Sequence, residues 1–345
     1  MRSRRPTHLL KRGAYDAPGD RVEAATPASL PPFPADAPPN RLGLARWLCD
    51  PQHPLTARVA VNRYWQLIFG EGLVRTPEDF GSQGRPPTHP DLLDWLARDF
   101  IAHGWDVKRL LKQIVMSATY RQSSAATAAQ ILSDPENLWL SHSPRYRLPA
   151  EMLRDNALSV SGLLVDQEGG PPVKPYEVEV AYNPATPDPG AGVYRRSLYT
   201  YWKGSGPAPV MMTLDASKRD VCRMRRERTA SPLQALVMLN SPQFVEAARG
   251  LAAQVLAQHG EDTEAALVDT FRSLTGHRPD DRQLQAVREL FAWQLNHFQS
   301  HPADRDSYLQ VGRLRVADSI DPSRLAALAT VASTLFNYDA CISRQ

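Results

Sequence analysis

The chain has 345 residues, 42% of them hydrophobic and 22% charged, with a formal net charge of +3. Such a composition belongs to a globular protein able to bury a sizeable core in one large or two modest domains. It excludes a membrane-spanning helix, since no apolar run approaches about 20 residues, and its 40 basic residues, matched by 37 acidic ones, give no field suited to nucleic acid.

The fold class read from the pattern is mainly α: a multi-helix globular domain with a small, loop-rich β-hairpin insertion in the middle. Thr7–Arg12 is expected to be a short edge strand, turning at Gly13 into a Pro-rich lead-in that ends near Pro39. Residues 41–168 form an N-terminal helical part. Leu55, Val59, Asn62, Arg63 and Gln66 mark successive turns of a helix over Pro54–Phe69, stopped by Gly70. Thr88 is placed to cap the next helix, whose stripe of Leu92, Leu93, Leu96 and Phe100 closes at Gly104. Asp106 caps a third, patterned by Val107, Leu110, Leu111, Ile114, Val115 and Ala118. A fourth runs from Pro149 to Leu164.

Residues 169–215 change texture to glycine, proline and aromatics, with a strand expected at Ser197–Trp202 and its partner at Val210–Leu214. Residues 216–345 return to helix. Ser231-Pro232, Ser241-Pro242 and Asp321-Pro322 each set a capping residue before a proline at the first helical position. Three apolar stripes fill this part: Phe244 to Leu256, then Leu267, Phe271 and Leu274, then Leu284, Val287, Phe291 and Leu295. No fixed-period repeat or heptad run is present.

Cys49, Cys222 and Cys341 are too few and too scattered for a disulfide framework or a Cys-type zinc site, although one pairing stays open. Without a Cys-x-x-Cys-His segment the chain has no haem attachment motif, and no cofactor is expected in it. Basic residues at Met1–Leu10 lack an apolar stretch behind them, so no signal peptide is expected, and the start reads as that of a fragment of a longer protein.

The common catalytic signatures are missing: no G-x-S-x-G elbow, phosphate loop, G-x-G-x-x-G or H-E-x-x-H. Two polar groups remain. Arg58, Asn62 and Arg63 share one helix, with Asp79 and His89 downstream; together they can hold an anionic group, Asp79 or His89 acting as base, or form a structural ion-pair network. Arg145, Arg147, Glu151, Arg154 and Asp155 form the second. Glu151 and Asp155 lie at i, i+4 on one face, where paired carboxylates can serve glycoside hydrolysis or be neutralised by Arg147 and Arg154. Tyr194, Tyr199, Tyr201 and Trp202 offer faces for a sugar ring or ordinary packing. His297 and His301 have i, i+4 spacing but no third ligand, so no metal is expected. Lys218–Arg228 carries six basic and two acidic residues without interleaved aromatics, so it reads as a solvated face or as paired internally with Asp215, not as a nucleic-acid patch.

A series of segments resembles one family. They are Asn40–Leu48 (NRLGLARWL), Pro54–Trp65 (PLTARVAVNRYW), Gly72–Gly81 (GLVRTPEDFG), His89–Trp95 (HPDLLDW), Ser117–Ser123 (SATYRQS), Cys222–Arg228 (CRMRRER), Pro232–Leu236 (PLQAL) and Ala332–Asp339 (ASTLFNYD). In order and across nearly the whole chain, they resemble the planctomycete-type domain of unknown function that lies C-terminal to planctomycete cytochrome c modules. A departure is Thr229-Ala-Ser-Pro232, where the family tends to Thr-Asn-Thr-Pro. The resemblance implies a periplasmic or extracellular location, partnership with upstream cytochrome c and helical modules, and no assigned catalytic residues. Two functions follow as expectations: an accessory or binding module engaging an envelope or extracellular polymer or a partner domain, and alternatively a polysaccharide-acting hydrolase using paired carboxylates.

Overall fold

The computed structural model describes residues 5–175, 186–202, 208–219, 221–317 and 319–344, and the chain divides into two compact units, residues 1–143 and 144–345. The class is mainly α, as the periodicity predicts.

The first unit opens on an antiparallel hairpin of β1 (Thr7–Leu10) and β2 (Pro18–Val22) around a 3-10 turn at Lys11–Gly13. The expected strand is present. Its partner lies within the stretch read as a lead-in, where the backbone of Gly19 comes so close to the Leu9 carbonyl that a Cβ would stand 2.9 Å from it. Five helices follow: α1 (Arg41–Leu48), α2 (Thr56–Phe69), α3 (Pro90–Ala102), α4 (Val107–Met116) and α5 (Ala128–Ser133). Asn40 caps α1 and Asp106 caps α4, each accepting backbone N–H groups that the first turn leaves unpaired. At α3 the expected cap is displaced by one residue. His89 occupies the N-cap position, because Thr88 turns away and donates both its N–H and its hydroxyl to the Leu73 carbonyl.

Val61, Trp65 and Phe69 of α2 close on Leu93, Leu96 and Phe100 of α3 and on Leu110 and Ile114 of α4. Each such side chain stabilises the unit by about 1.5–3 kcal/mol, so the three-helix contact carries it. Trp65 and Phe69, one turn apart, stack with ring centres 4.2 Å apart.

The second unit contains β3 (Tyr146–Arg147), α6 (Ala150–Val160), α7 (Pro209–Thr213), α8 (Pro232–Asn240), α9 (Pro242–His259), α10 (Thr263–Thr275), α11 (Asp281–Ser300), α12 (Pro302–Leu309), α13 (Pro322–Leu335), α14 (Asp339–Ile342) and β4 (Ser343–Arg344). Antiparallel β3 and β4 set Tyr146 opposite Arg344. At the centre, α9 and α13 pack together, and α13 also packs on α11 and α12. Both central helices are buried along most of their length, α13 by apolar and small residues and α9 with Glu246 and Arg249 among its buried side chains. Alanines such as Ala247, Ala248, Ala326 and Ala329, all fully buried, let the backbones approach.

Ser231 and Asp321 cap α8 and α13 as expected. Ser241 does not cap: its Oγ is buried without a hydrogen-bond partner.

The middle of the chain departs from the expected hairpin. Ser197–Tyr199 is a 3-10 turn, Thr200 makes a single parallel bridge to Val173, and Val210–Leu214 belongs to α7 and its C-terminal end. The alternating rings Tyr199, Tyr201 and Trp202 are met by the cations of Arg195, Lys174 and Arg219, and Pro209 begins a helix where the partner strand was expected.

Buried Glu246 of α9 ties down the connection between α12 and α13. It accepts from the Tyr194 hydroxyl at 2.8 Å, from the Leu314 N–H at 2.5 Å and from the Arg313 N–H, while Arg249, one turn on, donates to the Leu309 and Leu314 carbonyls. Gly312 lets this happen: its φ is +82°, and a Cβ there would lie 2.6 Å from Glu246 Cδ. Gly312→Ala is therefore expected to destabilise the protein by about 2 kcal/mol, read as a fall in thermal midpoint.

All three cysteines are free, Cys49 and Cys222 exposed and Cys341 buried. Burial pushes the Cys341 thiol up to about 12, which leaves almost no thiolate at neutral pH. A disulfide-exchange reagent should label two thiols in the native protein, and the third only after denaturation.

Candidate functional site

The polar residues of the first unit do not gather into a site. The Arg58 Nε lies 2.6 Å from Asp94 Oδ1 on α3, and its Nη1 donates to the Pro54 carbonyl, so this guanidinium joins α2 to α3. Asn62 is fully buried and clamps the following loop, its Nδ2 donating to the Val74 carbonyl at 3.0 Å and its Oδ1 accepting from the Val74 N–H at 2.8 Å. Asp79 accepts from the Gly81 N–H at 2.6 Å within its own turn. His89 meets the Thr88 hydroxyl at 3.0 Å and sets its ring edge-on to Trp139. Arg63 is exposed, and among the described residues no hydrogen bond or ion pair joins Arg58 or Arg63 to Asp79 or His89.

In the second unit, α6 presents Glu151, Arg154 and Asp155. Arg154, 1% exposed, donates to Gln243 Oε1 at 2.8 Å, to the Val193 and Arg195 carbonyls at 2.7 and 2.9 Å, and to Ser197 Oγ at 3.1 Å. Asp155 accepts from the N–H and hydroxyl of Ser197 at 2.8 and 2.6 Å. Glu151 holds Arg226 through both carboxylate oxygens at 2.9 Å. The i, i+4 carboxylates thus share a helix but are engaged by different partners. The neutralising arginine for Glu151 is Arg226, and Arg154 spends its donors on neutral acceptors, leaving Asp155 at 3.5 Å.

Tyr201 is exposed, and Tyr199 and Trp202 each carry a cation on the ring. Arg195 lies 4.0 Å over the Tyr199 ring and Arg219 lies 4.2 Å over Trp202, whose Nε1 donates to the Lys218 carbonyl. His297 and His301 stack on each other at 4.6 Å, with His297 Nε2 at 3.2 Å from Asp304. Among the described residues no group of three or more His, Cys, Asp or Glu side chains can hold a metal ion.

One arrangement is left open to solvent. Between α7 and α8 the chain forms a cleft of about 110 Å³ lined by Met212, Asp215, Lys218, Arg223, Arg226 and Glu227. That is several times the room one water needs. Asp215 has a left-handed backbone, φ +65°, a conformation that aspartate tolerates and most residues resist. Its Oδ2 accepts three hydrogen bonds, from the Thr229 N–H at 2.6 Å, the Thr229 hydroxyl at 2.7 Å and Gln234 Nε2 at 3.0 Å. Among the described residues Oδ1 receives none.

Burial opposes ionisation of Asp215, but the three donors on Oδ2 and the charge of Arg147 outweigh it and hold its pKa below the usual carboxylate value. Arg147, half-buried on β3, is shifted down by burial and partly restored by Asp215. It stays protonated, as a guanidinium does at any ordinary pH. Among the described residues Arg147 makes no hydrogen bond or ion pair, and Lys218 is likewise unpaired. Arg223 and Arg226 are spent on Glu227 and Glu151. What remains in the cleft is one ionised acceptor, Asp215 Oδ1, and one cation unpaired among the described residues, Lys218.

Residues 40–291, more than half of the chain, match the family model of PSD1, proteins of unknown function (DUF1553). The chain belongs to that family. The whole Asp215–Thr229–Gln234 network lies inside the matched span, as do Arg147, Glu151 and Asp155. No curated protein and no solved structure matches the chain.

Within this PSD1 chain the residue that sequence reading undervalued is Asp215, expected to pair with the basic run Lys218–Arg228. It bonds instead to Thr229 and Gln234. The available signal was the PLQAL segment itself, which supplies Gln234 three residues after the capping Ser231, so that one glutamine both closes the capping box and reaches Asp215.

Asp94, Asp99, Asp134 and Asp215 all have lowered pKa values: Arg58 holds the first, Arg109 the second, and backbone donors outweigh burial at Asp134. A carboxylate whose folded pKa is depressed contributes stability above its unfolded pKa, about 3.9, and loses it as pH falls toward the folded value. Urea midpoints should therefore be level from pH 7 to 5 and decline below about pH 4.

Proposed function

We propose that the chain is a non-catalytic binding module whose second unit holds a hydroxyl-rich polymer, a polysaccharide, at the Asp215 cleft. The observation that carries this reading is the state of Asp215: an ionised carboxylate fixed through one oxygen, its other oxygen free of protein hydrogen bonds among the described residues, in a cleft shared with Lys218, which is unpaired among the described residues. A sugar hydroxyl both donates and accepts, so it can serve Asp215 Oδ1 and an arginine or lysine N–H at once. With Arg223 and Arg226 neutralised, one anion and one exposed cation remain in the cleft, and this favours a neutral ligand over a strongly charged one.

Following the family resemblance, we place the module in an exported protein that carries cytochrome c and helical modules upstream, where an envelope or extracellular polymer would meet it. Hydrolysis is the weaker reading. A glycosidase needs a carboxylic acid with a raised pKa opposite a second free carboxylate. Asp215 is shifted the other way, and Glu151 and Asp155 are engaged by Arg226 and Ser197.

The test is a panel of soluble neutral and uronic-acid polysaccharides followed by calorimetry and by product analysis. Binding to a neutral member, weakened about tenfold or more in Asp215→Asn with the fold intact by circular dichroism, is the expected outcome; a charge-assisted hydrogen bond is worth about 1.5–3 kcal/mol. Release of reducing ends would replace the module with a hydrolase, and absence of binding across the panel would end the reading.

A further inference from the structure

A short helix on a globular protein normally buries its apolar side chains and exposes its polar ones. Helix α8 is inverted. Gln234 and Met238 face inward, Gln234 bonded to Asp215 and Thr229, while Leu233, Leu236 and Leu239 stand 58, 56 and 41% exposed. These leucines follow one another at i, i+3 and i+6, a continuous strip along nine residues. Capping and burial of Gln234 explain why: the capping box fixes the glutamine at the third helical position, its contact with Asp215 fixes the rotation of the helix, and rotation then turns the leucines outward. Scattered exposed leucines need no explanation, but a strip that costs solubility along a whole helix marks a contact surface.

The chain leading into this helix settles the chemistry of what covers it. Residues 218–228 hold Lys218, Arg219, Arg223, Arg225, Arg226 and Arg228 against Asp220 and Glu227; with Glu151 spent on Arg226, an excess of three positive charges remains, and the helix N-terminus adds a partial positive charge at the same end. Saccharides stack on aromatic faces and have nothing to gain from leucines. An amphipathic helix does, through i, i+3, i+4, i+7 anchors laid on an apolar strip.

We propose that Leu233, Leu236 and Leu239 form a docking surface for an amphipathic helix of a partner protein, with acidic residues of that helix set against the Lys218–Arg228 end. The leucine strip is separate from the cleft, on the opposite face of α8 from Gln234, although Lys218, Arg223 and Arg226 of the basic run also line the cleft; neither proposal requires the other.

The probe is a fluorescent 18-residue helical peptide with a leucine face and glutamates along its flanks, compared with the same peptide bearing lysines there. Fluorescence anisotropy with the full chain should show binding of the acidic peptide, at least tenfold weaker binding of the basic one, and weakening as salt is raised. The double variant Leu236→Asp, Leu239→Asp should lose the acidic peptide by tenfold or more while keeping the helical circular dichroism and a cooperative thermal transition, since both side chains are about half exposed. Polysaccharide binding by the same variant should be unchanged, which separates failure here from failure of the cleft. Equal binding of both peptides, no binding of either, or an unaltered affinity in the double variant would overturn the proposal. So would a concentration-dependent dimer in sedimentation that the double variant abolishes, because the strip would then be covered by a second copy of the chain.

Discussion

A guanidinium cannot be taken out of water unless its N–H groups find acceptors, and Arg154 meets that demand in a way that organises the second unit. Desolvating the charge costs several kcal/mol, recovered only by good geometry. Its donors reach Gln243 on α9, two carbonyls of the 193–195 backbone, and the hydroxyl of Ser197. Two separated stretches, α9 and residues 193–197, are thereby fixed around one side chain of α6. Asp155, one residue along α6, completes the arrangement by accepting both donors of Ser197. These polar contacts join the buried Val193 in holding the turn at 193–197.

The same logic decides where the paired carboxylates of α6 are engaged. Glu151 forms a two-pronged contact with Arg226, and Asp155 is used to hold a turn. Asp215 differs in exposing one oxygen to a cleft, yet the donors on its other oxygen keep it ionised. Such a group can accept hydrogen bonds from a ligand and has little capacity to give up or take a proton, which is the physical basis for reading the cleft as a binding site.

Much of the architecture was legible as periodicity and punctuation. The stripe on α4, the glycine that stops α2 and the Ser-Pro and Asp-Pro starts of α8 and α13 all rest on local rules: side-chain spacing along a helix and unpaired N–H groups in its first turn. The failures also have local causes. Thr88 was a sound cap by sequence but found the Leu73 carbonyl instead. Ser197–Trp202 alternates as a strand would, yet its rings meet arginines and backbone and not a neighbouring strand.

The sequence by itself determined the helical class, the main helix positions, the lack of a haem attachment motif and the family to which the chain belongs, because these depend on residues near one another or on their order. Partnerships were left to the tertiary structure. Asn62 fitted an anion site or a structural network until the loop containing Val74 folded onto it, and Glu151 had Arg147 and Arg154 as its expected partners until Arg226, 75 residues away, closed on it. A charged side chain is defined by what faces it, and what faces it is set by packing between distant segments. For that reason the open oxygen of Asp215 and the outward leucines of α8 emerge only from the folded chain.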